Sequence, residues 1–322
     1  MLENKEMRAV LFDFLNETMK VNPRVVVLDA DLGKANGTYN LRNNYPDRAI
    51  DCGIAEQNMA SIAAGMASYG YLPFISSFTP FATRRICDQI AISICYANQN
   101  VKIIGTDPGI SAEYNGGTHM SVEDIGVLRS IPNLVIYEPV DAVQLYKSLP
   151  KILDYEGPLY IRMFRKVAEP VFDETYEFDL FKADVINKGV DATVLCSGIM
   201  VKEALKASEI LEKEGVSLEV INVHTIKPLD EETILNSLRK TKACVVLENH
   251  NLIGGLYSAV SELLCEKLPM KVEKIGIKDR FGEVGKMPYL KEVMGMTTED
   301  IVSAIRRAIN NKYLWRKLIQ LF

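Results

Sequence analysis

The sequence predicts an α/β protein made of two doubly wound domains, and three observations carry that reading. Short β-branched runs alternate with helix-period segments, the pattern of parallel strands joined by crossover helices. The alternation lapses once, in an acid-rich stretch containing Pro170, and resumes at Ala192. Loops rich in Gly, Asn and Asp follow strand ends, where open α/β sheets place their ligands.

The elements follow in order. A helix over Lys5–Lys20 gathers Val10, Leu11, Phe14, Leu15 and Met19 on one face. Strands are expected at Val25–Leu28, Ala49–Cys52, Pro73–Ser76, Val101–Gly105, Leu134–Tyr137 and Leu159–Arg162. Helices at about Glu56–Tyr69, Phe81–Ala97, Val122–Arg129 and Ala142–Leu153 separate them, and the polar loops Asp31–Asn44 and Asp107–Thr118 become site candidates. The second half has strands at Ala192–Cys196, Leu218–Asn222, Ala243–Glu248 and Val272–Ile277. Its helices run at about Val201–Glu214, Asp230–Leu238, Leu256–Leu268 and Thr298–Asn310. The expected division is a first domain over 5–166, a linker over 167–190, a second domain over 191–310 and a tail over 311–322 holding Trp315, Arg316 and Lys317.

Composition narrows the function classes. At 48% hydrophobic and 25% charged, 322 residues suffice for two cores. A formal charge of −5 offers no basic stripe for nucleic acid, and no apolar run approaches the roughly 20 residues needed to cross a bilayer. The polar start Met1-Leu2-Glu3-Asn4-Lys5-Glu6 lacks a secretory layout, so a cytoplasmic location is expected. Cys52, Cys87, Cys95, Cys196, Cys244 and Cys265 form no CxxC pair and are read as reduced; His119, His224 and His250 show no metal-site spacing.

Three motifs carry chemistry. In Asp51-Cys52-Gly53-Ile54-Ala55-Glu56 a strand turns through a glycine into a helix headed by one carboxylate, where partial burial favours the protonated form. Small residues follow (Ala60, Ser61, Ala63, Ala64, Gly65, Ala67) and allow close packing against a neighbour. In Ser77-Phe78-Thr79-Pro80-Phe81 two phenylalanines three apart can face a flat heteroaromatic ring. In Gly116-Gly117-Thr118-His119 a histidine in a polar loop is placed for proton transfer.

With these motifs, the chain resembles the C-terminal half of a transketolase over about Lys5 to Asn310: a pyrimidine domain with the thiamin diphosphate-binding fold, followed by a transketolase C-terminal domain. The resemblance implies that Glu56 contacts N1′ of the aminopyrimidine of thiamine diphosphate and promotes the tautomer that deprotonates thiazolium C2. It implies that Phe78 and Phe81 stack on that ring, with Arg84 in a third, normally aromatic, position where a guanidinium can also stack. Asp31 and Leu32 would line the thiazolium side. His119 would bind donor-sugar hydroxyls, and Arg8 and Arg162 would grip the sugar phosphate. Three positions depart from the family pattern: Asp107 stands for a phosphate-side histidine, Ala35 for a serine, and Asn115 for the acid before Gly-Gly-Thr-His. An Asp near phosphate would repel it.

The family anchors the cofactor's diphosphate and Mg2+ through a Gly-Asp-Gly segment with a later Asn, which this sequence lacks. The resemblance therefore implies an N-terminal diphosphate-domain subunit as partner, an α2β2 assembly, metal ligands from that partner, and no activity for this chain alone. The implied reaction moves a two-carbon ketol unit from a ketose phosphate to an aldose phosphate, as in the pentose phosphate pathway. Rival readings are the β subunit of a 2-oxoacid dehydrogenase, a 1-deoxyxylulose-5-phosphate synthase, and a non-catalytic homologue that binds a partner. In the second domain, Glu248-Asn249-His250-Asn251 before Gly254-Gly255 resembles an anion-binding turn, with His250 read as structural.

Overall fold

The computed structural model describes residues 2 and 4–319, with side chains described through residue 312. Strands β1 (Val25–Asp29), β2 (Ala49–Asp51), β3 (Leu72–Phe78), β4 (Lys102–Thr106), β5 (Val135–Tyr137) and β6 (Leu159–Met163) come from the first half. The second half supplies β7 (Asp184–Asn187), β8 (Ala192–Cys196), β9 (Leu218–Asn222), β10 (Thr225–Lys227), β11 (Cys244–Asn251) and β12 (Val272–Ile277). Among the described residues they form a seven-stranded sheet, order β10-β5-β6-β4-β3-β1-β2, and a five-stranded sheet, order β12-β11-β8-β9-β7. Every pairing is parallel except those of the edge strands β10 and β7.

Sequence and burial agree on why the interior strands lie where they do. β1, β3, β4 and β6 are buried along their whole length, as parallel strands covered by helices on both faces must be. The first helix, Met7–Val21, buries Val10, Leu11, Leu15 and Met19 of the stripe its spacing predicts, while Phe14 at its margin is only half-buried. The helix Glu56–Ser68 buries Met59, Ala60, Ala63 and Ala64, and its alanines let it lie close against β3.

Four expectations need correction. The expected helix Phe81–Ala97 is three pieces: a turn Thr79–Ala82, a 3-10 turn Arg84–Ile86 and a π-helix Gln89–Tyr96, broken where Thr83 takes φ −132°, ψ −86°. The expected linker is not free. Asp141, which caps the helix Ala142–Asp154, also accepts from Val171 N at 2.7 Å and Phe172 N at 2.8 Å, Phe178 and Leu180 are buried, and β7 already belongs to the second sheet. The two halves interlock, because β10 leaves the second domain and pairs antiparallel with β5 of the first sheet. The last helix spans Thr298–Ile319, so the expected tail continues it; residues 320–322, and the side chains of Trp315, Arg316 and Lys317, lie outside the described residues. The helix Met287–Met294 was not expected from the sequence.

One buried ionic cluster ties the domains together. Arg162, in β6 and 1% exposed, donates through Nε to Asp124 Oδ2 at 2.7 Å, through Nη1 to Glu138 Oε1, and through Nη2 to the Asn249 carbonyl of the second domain at 2.7 Å. Tyr160 OH adds a bond to Asp124 at 2.9 Å and Ser197 Oγ one to Glu138 at 2.7 Å. Burial alone would push Asp124 upward, but the facing Arg162 and His250 hold its carboxyl below the ordinary value.

Candidate active site

The central strands of the first sheet run in the order β6-β4-β3-β1, so the loops leaving their carboxyl ends are neighbours. Asp31–Asn36 follows β1, Phe78–Arg85 ends and follows β3, Asp107–His119 follows β4, and Phe164–Lys166 follows β6. Asn36 binds three of these elements together, its amide reaching Ser76 Oγ at 3.4 Å and accepting from Thr106 Oγ1 at 2.9 Å.

A salt-bridged platform supports the first loop. Arg42 Nη2 reaches both oxygens of buried Asp29, at 2.6 and 2.7 Å, and Nη1 lies 2.9 Å from Asp51 Oδ2. Asp51 Oδ1 accepts from Gly53 N and Asp31 N, each at 2.9 Å. This shapes two turns at once: the left-handed Gly53 (φ 71°) that leads into the Glu56 helix, and Asp31, held at φ 58°. Asp31 is exposed and Leu32 half-buried, one loop residue beyond the platform.

Glu56 opens its helix with a carboxylate only 4% exposed. It is not isolated: Arg85 Nη1 donates to Glu56 Oε1 at 2.7 Å. No donor among the described residues reaches Oε2. Contact with a cation offsets the desolvation that burial imposes on a carboxylate.

Three rings meet beside it. The centroids of Phe78 and Phe81 are 6.4 Å apart, and the His119 ring stands edge-on to both, 5.9 Å from Phe78 and 5.2 Å from Phe81. Each phenylalanine carries a guanidinium: Arg165 Cζ lies 5.0 Å from the Phe78 centroid and Arg85 Cζ 3.8 Å from that of Phe81. Ser77 Oγ, one residue before Phe78 in β3, is buried without a partner. His119 Nδ1 bonds Thr118 Oγ1 at 2.9 Å. Aromatic faces and a half-free carboxylate together suit a flat heterocycle bearing a nitrogen that can be protonated.

The structure redistributes the arginines. Arg162 is enclosed in the interdomain cluster with its donors committed to Asp124, Glu138 and Asn249, so it is no ligand for a substrate phosphate. Arg165, three residues on and beyond the strand end, is the arginine that lies against Phe78. Arg165 Nη1 shares the Ala35 carbonyl, at 3.4 Å, with Arg8 Nη1 at 3.1 Å. Arg84 is likewise displaced: 47% exposed, it pairs with Glu123 at 2.6 Å and does not stack on the phenylalanines. After the break at Thr83, Arg84 reaches Glu123 and Arg85 reaches Glu56, each with nearly half of its side chain exposed.

Both site arginines carry carboxylates. Arg8 Nε binds Glu6 at 2.7 Å, and Arg165 Nε lies 2.5 Å from Asp107 Oδ2, out of hydrogen-bond alignment, while Arg165 N donates to Asp107 Oδ1 at 3.2 Å. Burial pushes the Asp107 carboxyl above its ordinary value against the pull of Arg165. Asn115 is exposed at the end of the 3-10 turn Gly109–Asn115. Glu113 in that turn pairs with Lys166 and accepts from Met287 N at 3.1 Å, coupling the loop to the second domain.

Arg165 was accessible to sequence reasoning, since residues just past a strand's carboxyl end are better placed than one in its middle. Arg85 was not, because nothing in the sequence announces the break at Thr83. The expected anion-binding turn is also filled from within: Glu248 accepts from Leu256 N at 2.6 Å and Tyr257 N at 3.2 Å, occupying the helix N-terminus itself. Among the described residues, no three His, Cys, Asp or Glu converge to hold a metal ion, and no helix is long and apolar enough to cross a membrane.

Comparison with known proteins places these features. The transketolase pyrimidine-binding domain matches residues 3–169 and the transketolase C-terminal domain residues 181–301. The chain is 48% identical to the 6-deoxy-6-sulfo-D-fructose transketolase subunit of Clostridium sp. (strain MSTE9), covering 97% of each chain. It is 39% identical to a putative transketolase C-terminal section of Methanocaldococcus jannaschii, over 94% of this chain and 95% of that one. A solved structure described as a split gene transketolase, inactive beta4 tetramer, superposes with a TM-score of 0.86 at 38% identity, over 95% of this chain and 99% of that one.

Proposed function

The chain belongs to the transketolase family, whose members are generally thiamine diphosphate-dependent transferases, and from that premise we propose that it is the pyrimidine-side subunit of a split transketolase. The observation that carries the reading is the buried Glu56 carboxylate set beside the Phe78–Phe81–His119 cluster. Thiamine diphosphate, when bound, supplies the acidic carbon that adds to a ketose carbonyl and carries a two-carbon unit between sugars. Each residue then has a defined task. Glu56 Oε2, the oxygen without a donor, holds a proton against the heterocycle nitrogen. Phe78 and Phe81 fix the plane of the ring, and the Asp31–Leu32 turn borders its thiazolium side. His119, bridging both rings, moves protons at the sugar hydroxyls.

The remaining parts come from a partner. Mg2+ and the diphosphate need hard oxygen ligands, and the described residues offer no cluster for them. Large apolar side chains also lie exposed around the site: Ile54 beside the Glu56 turn, Tyr114 in the His119 loop, and Phe281 and Val284 in the second-domain loop that touches it. The exposed apolar side chains support a partner closing over this face; we take that partner to be a diphosphate-domain subunit, in an α2β2 assembly working in the cytoplasm.

Arg8 and Arg165 would bind the acidic end of the sugar. In the first reading that end is a phosphate, and the reaction is the ketose-to-aldose transfer of the pentose phosphate pathway. A second reading is favoured by Glu6 and Asp107, which already neutralise much of the arginine charge. Such a site suits a singly charged head group better than a dianion. The 48% identical relative, named for a sulfonated ketose, gives that class: a ketose ending in a sulfonate.

One assay tests the proposal. The chain is co-expressed with a diphosphate-domain subunit and given thiamine diphosphate, Mg2+ and either a phosphorylated or a sulfonated ketose, with an aldose acceptor. The expected result is transfer by the mixture alone, abolished by Glu56→Gln, with the better donor deciding the head group. A stable complex that binds cofactor yet transfers from neither donor contradicts it.

A further inference from the structure

We propose that Arg85 is a positioning residue for Glu56, holding one carboxylate oxygen so that the other is presented to the heterocycle; the inference rests on the thiamine reading above. Arg85 is fixed from two sides. Its guanidinium lies 3.8 Å from the Phe81 centroid, within stacking range of the ring, and its Nη1 donates to Glu56 Oε1 at 2.7 Å. A planar fork resting on an aromatic face has little rotational freedom left, so it defines the plane in which the carboxylate sits.

The Glu56 side chain needs such a guide. Ala55, at the N-cap, makes no side-chain capping bond, and no other hydrogen bond to the Glu56 carboxylate exists among the described residues. Burial limits the rotamers open to the side chain, but the terminal torsion that sets the carboxylate plane is broad, and the Arg85 contact selects one setting of it. Its own helix carries no other charged residue, and β3 carries none. The other titratable groups gathered on the phenylalanines, His119 and Arg165, contact the rings and not Glu56.

The local backbone is built to deliver this contact. In an unbroken helix from Phe81, Arg84 and Arg85 would stand three and four residues along, both over the Phe81 face. The break at Thr83 separates them, sending Arg84 to Glu123 and Arg85 to Glu56. Thr83 itself is buried and anchored, its Oγ1 donating to the Thr79 carbonyl at 2.6 Å. One arginine therefore orients the aromatic pair and the acid together.

The role is read from the heterocycle nitrogen. The co-expressed complex, carrying wild type, Arg85→Met or Arg85→Lys, is titrated calorimetrically with thiamine diphosphate and with an analogue in which N1′ is replaced by C–H. Met preserves the aliphatic packing on Phe81, and Lys preserves the charge. Wild type is expected to prefer thiamine diphosphate; Arg85→Met loses that preference by about 10-fold, the worth of one charge-assisted hydrogen bond, while Arg85→Lys keeps most of it. An equal loss for both ligands, or a preference unchanged in Arg85→Met, overturns the positioning role. Failure of the wild-type complex to bind thiamine diphosphate at all overturns both this inference and the thiamine reading.

Discussion

The residues that look interchangeable on the page are separated by their surroundings. Arg162 and Arg165 lie three apart, yet one is sealed into an interdomain cluster and the other stands over Phe78 at the site. The difference has an energetic signature. Arg162→Met leaves Asp124 and Glu138 buried and facing each other without a cation, and losing one partner of a buried ion pair costs about 3–5 kcal/mol. The urea midpoint of the variant should fall by that equivalent; a change under about 1 kcal/mol would mean that water reaches the cluster. Glu56, Phe78, Phe81 and His119 were legible as candidates because each sits in a recognisable local motif, although it is the strand order that brings their loops together. Arg85, Arg165 and the true place of Arg162 were not. Each depends on which side of a strand end or a backbone break the side chain emerges, and composition is blind to that.

Among the elements, those built from one strong period were readable and those shaped by partners were not. The helix Met7–Val21 and the fully buried strands follow from their apolar stripes and runs. β7 and β10 do not, because each is an edge strand defined by the sheet it joins, and β10 joins the sheet of the other domain. The broken segment after Phe81 reads as one helix by periodicity, whereas the backbone of Thr83, at φ −132° and ψ −86°, divides it. The His119 loop depends on the second domain in the same way. A Cβ on Gly117 would stand 2.6 Å from the Gly282 carbonyl, a backbone atom with little room to yield. Gly117→Ala should therefore shift the loop and lower kcat/KM for the ketose by about 10- to 100-fold, since small misplacements near a reacting group are costly. Cofactor affinity, held by Glu56 and the phenylalanines, should stay within about 2-fold. A parallel loss of cofactor binding would show that the loop supports the whole site.

The whole molecule builds one candidate site from both domains. Its first sheet delivers a carboxylate, two phenylalanines and a histidine to one edge, its second domain braces them through Asn249, Met287 and the Gly282 loop, and apolar side chains are left exposed around the opening. The fold class and the succession of domains could be anticipated from the sequence, because they rest on the alternation of elements and on motifs that are present. The interlocking of the domains could not, since it arises from pairings between segments far apart in the chain. The central claim concerns what Glu56 does to a bound cofactor, and one measurement addresses it before any sugar is added: the rate at which the C2 proton of thiamine diphosphate exchanges with deuterium in the assembled complex, wild type against Glu56→Gln. The account predicts exchange slowed by about 100-fold or more in the variant, the usual range for a lost acid–base partner. Exchange at the wild-type rate, with cofactor fully bound, would contradict it.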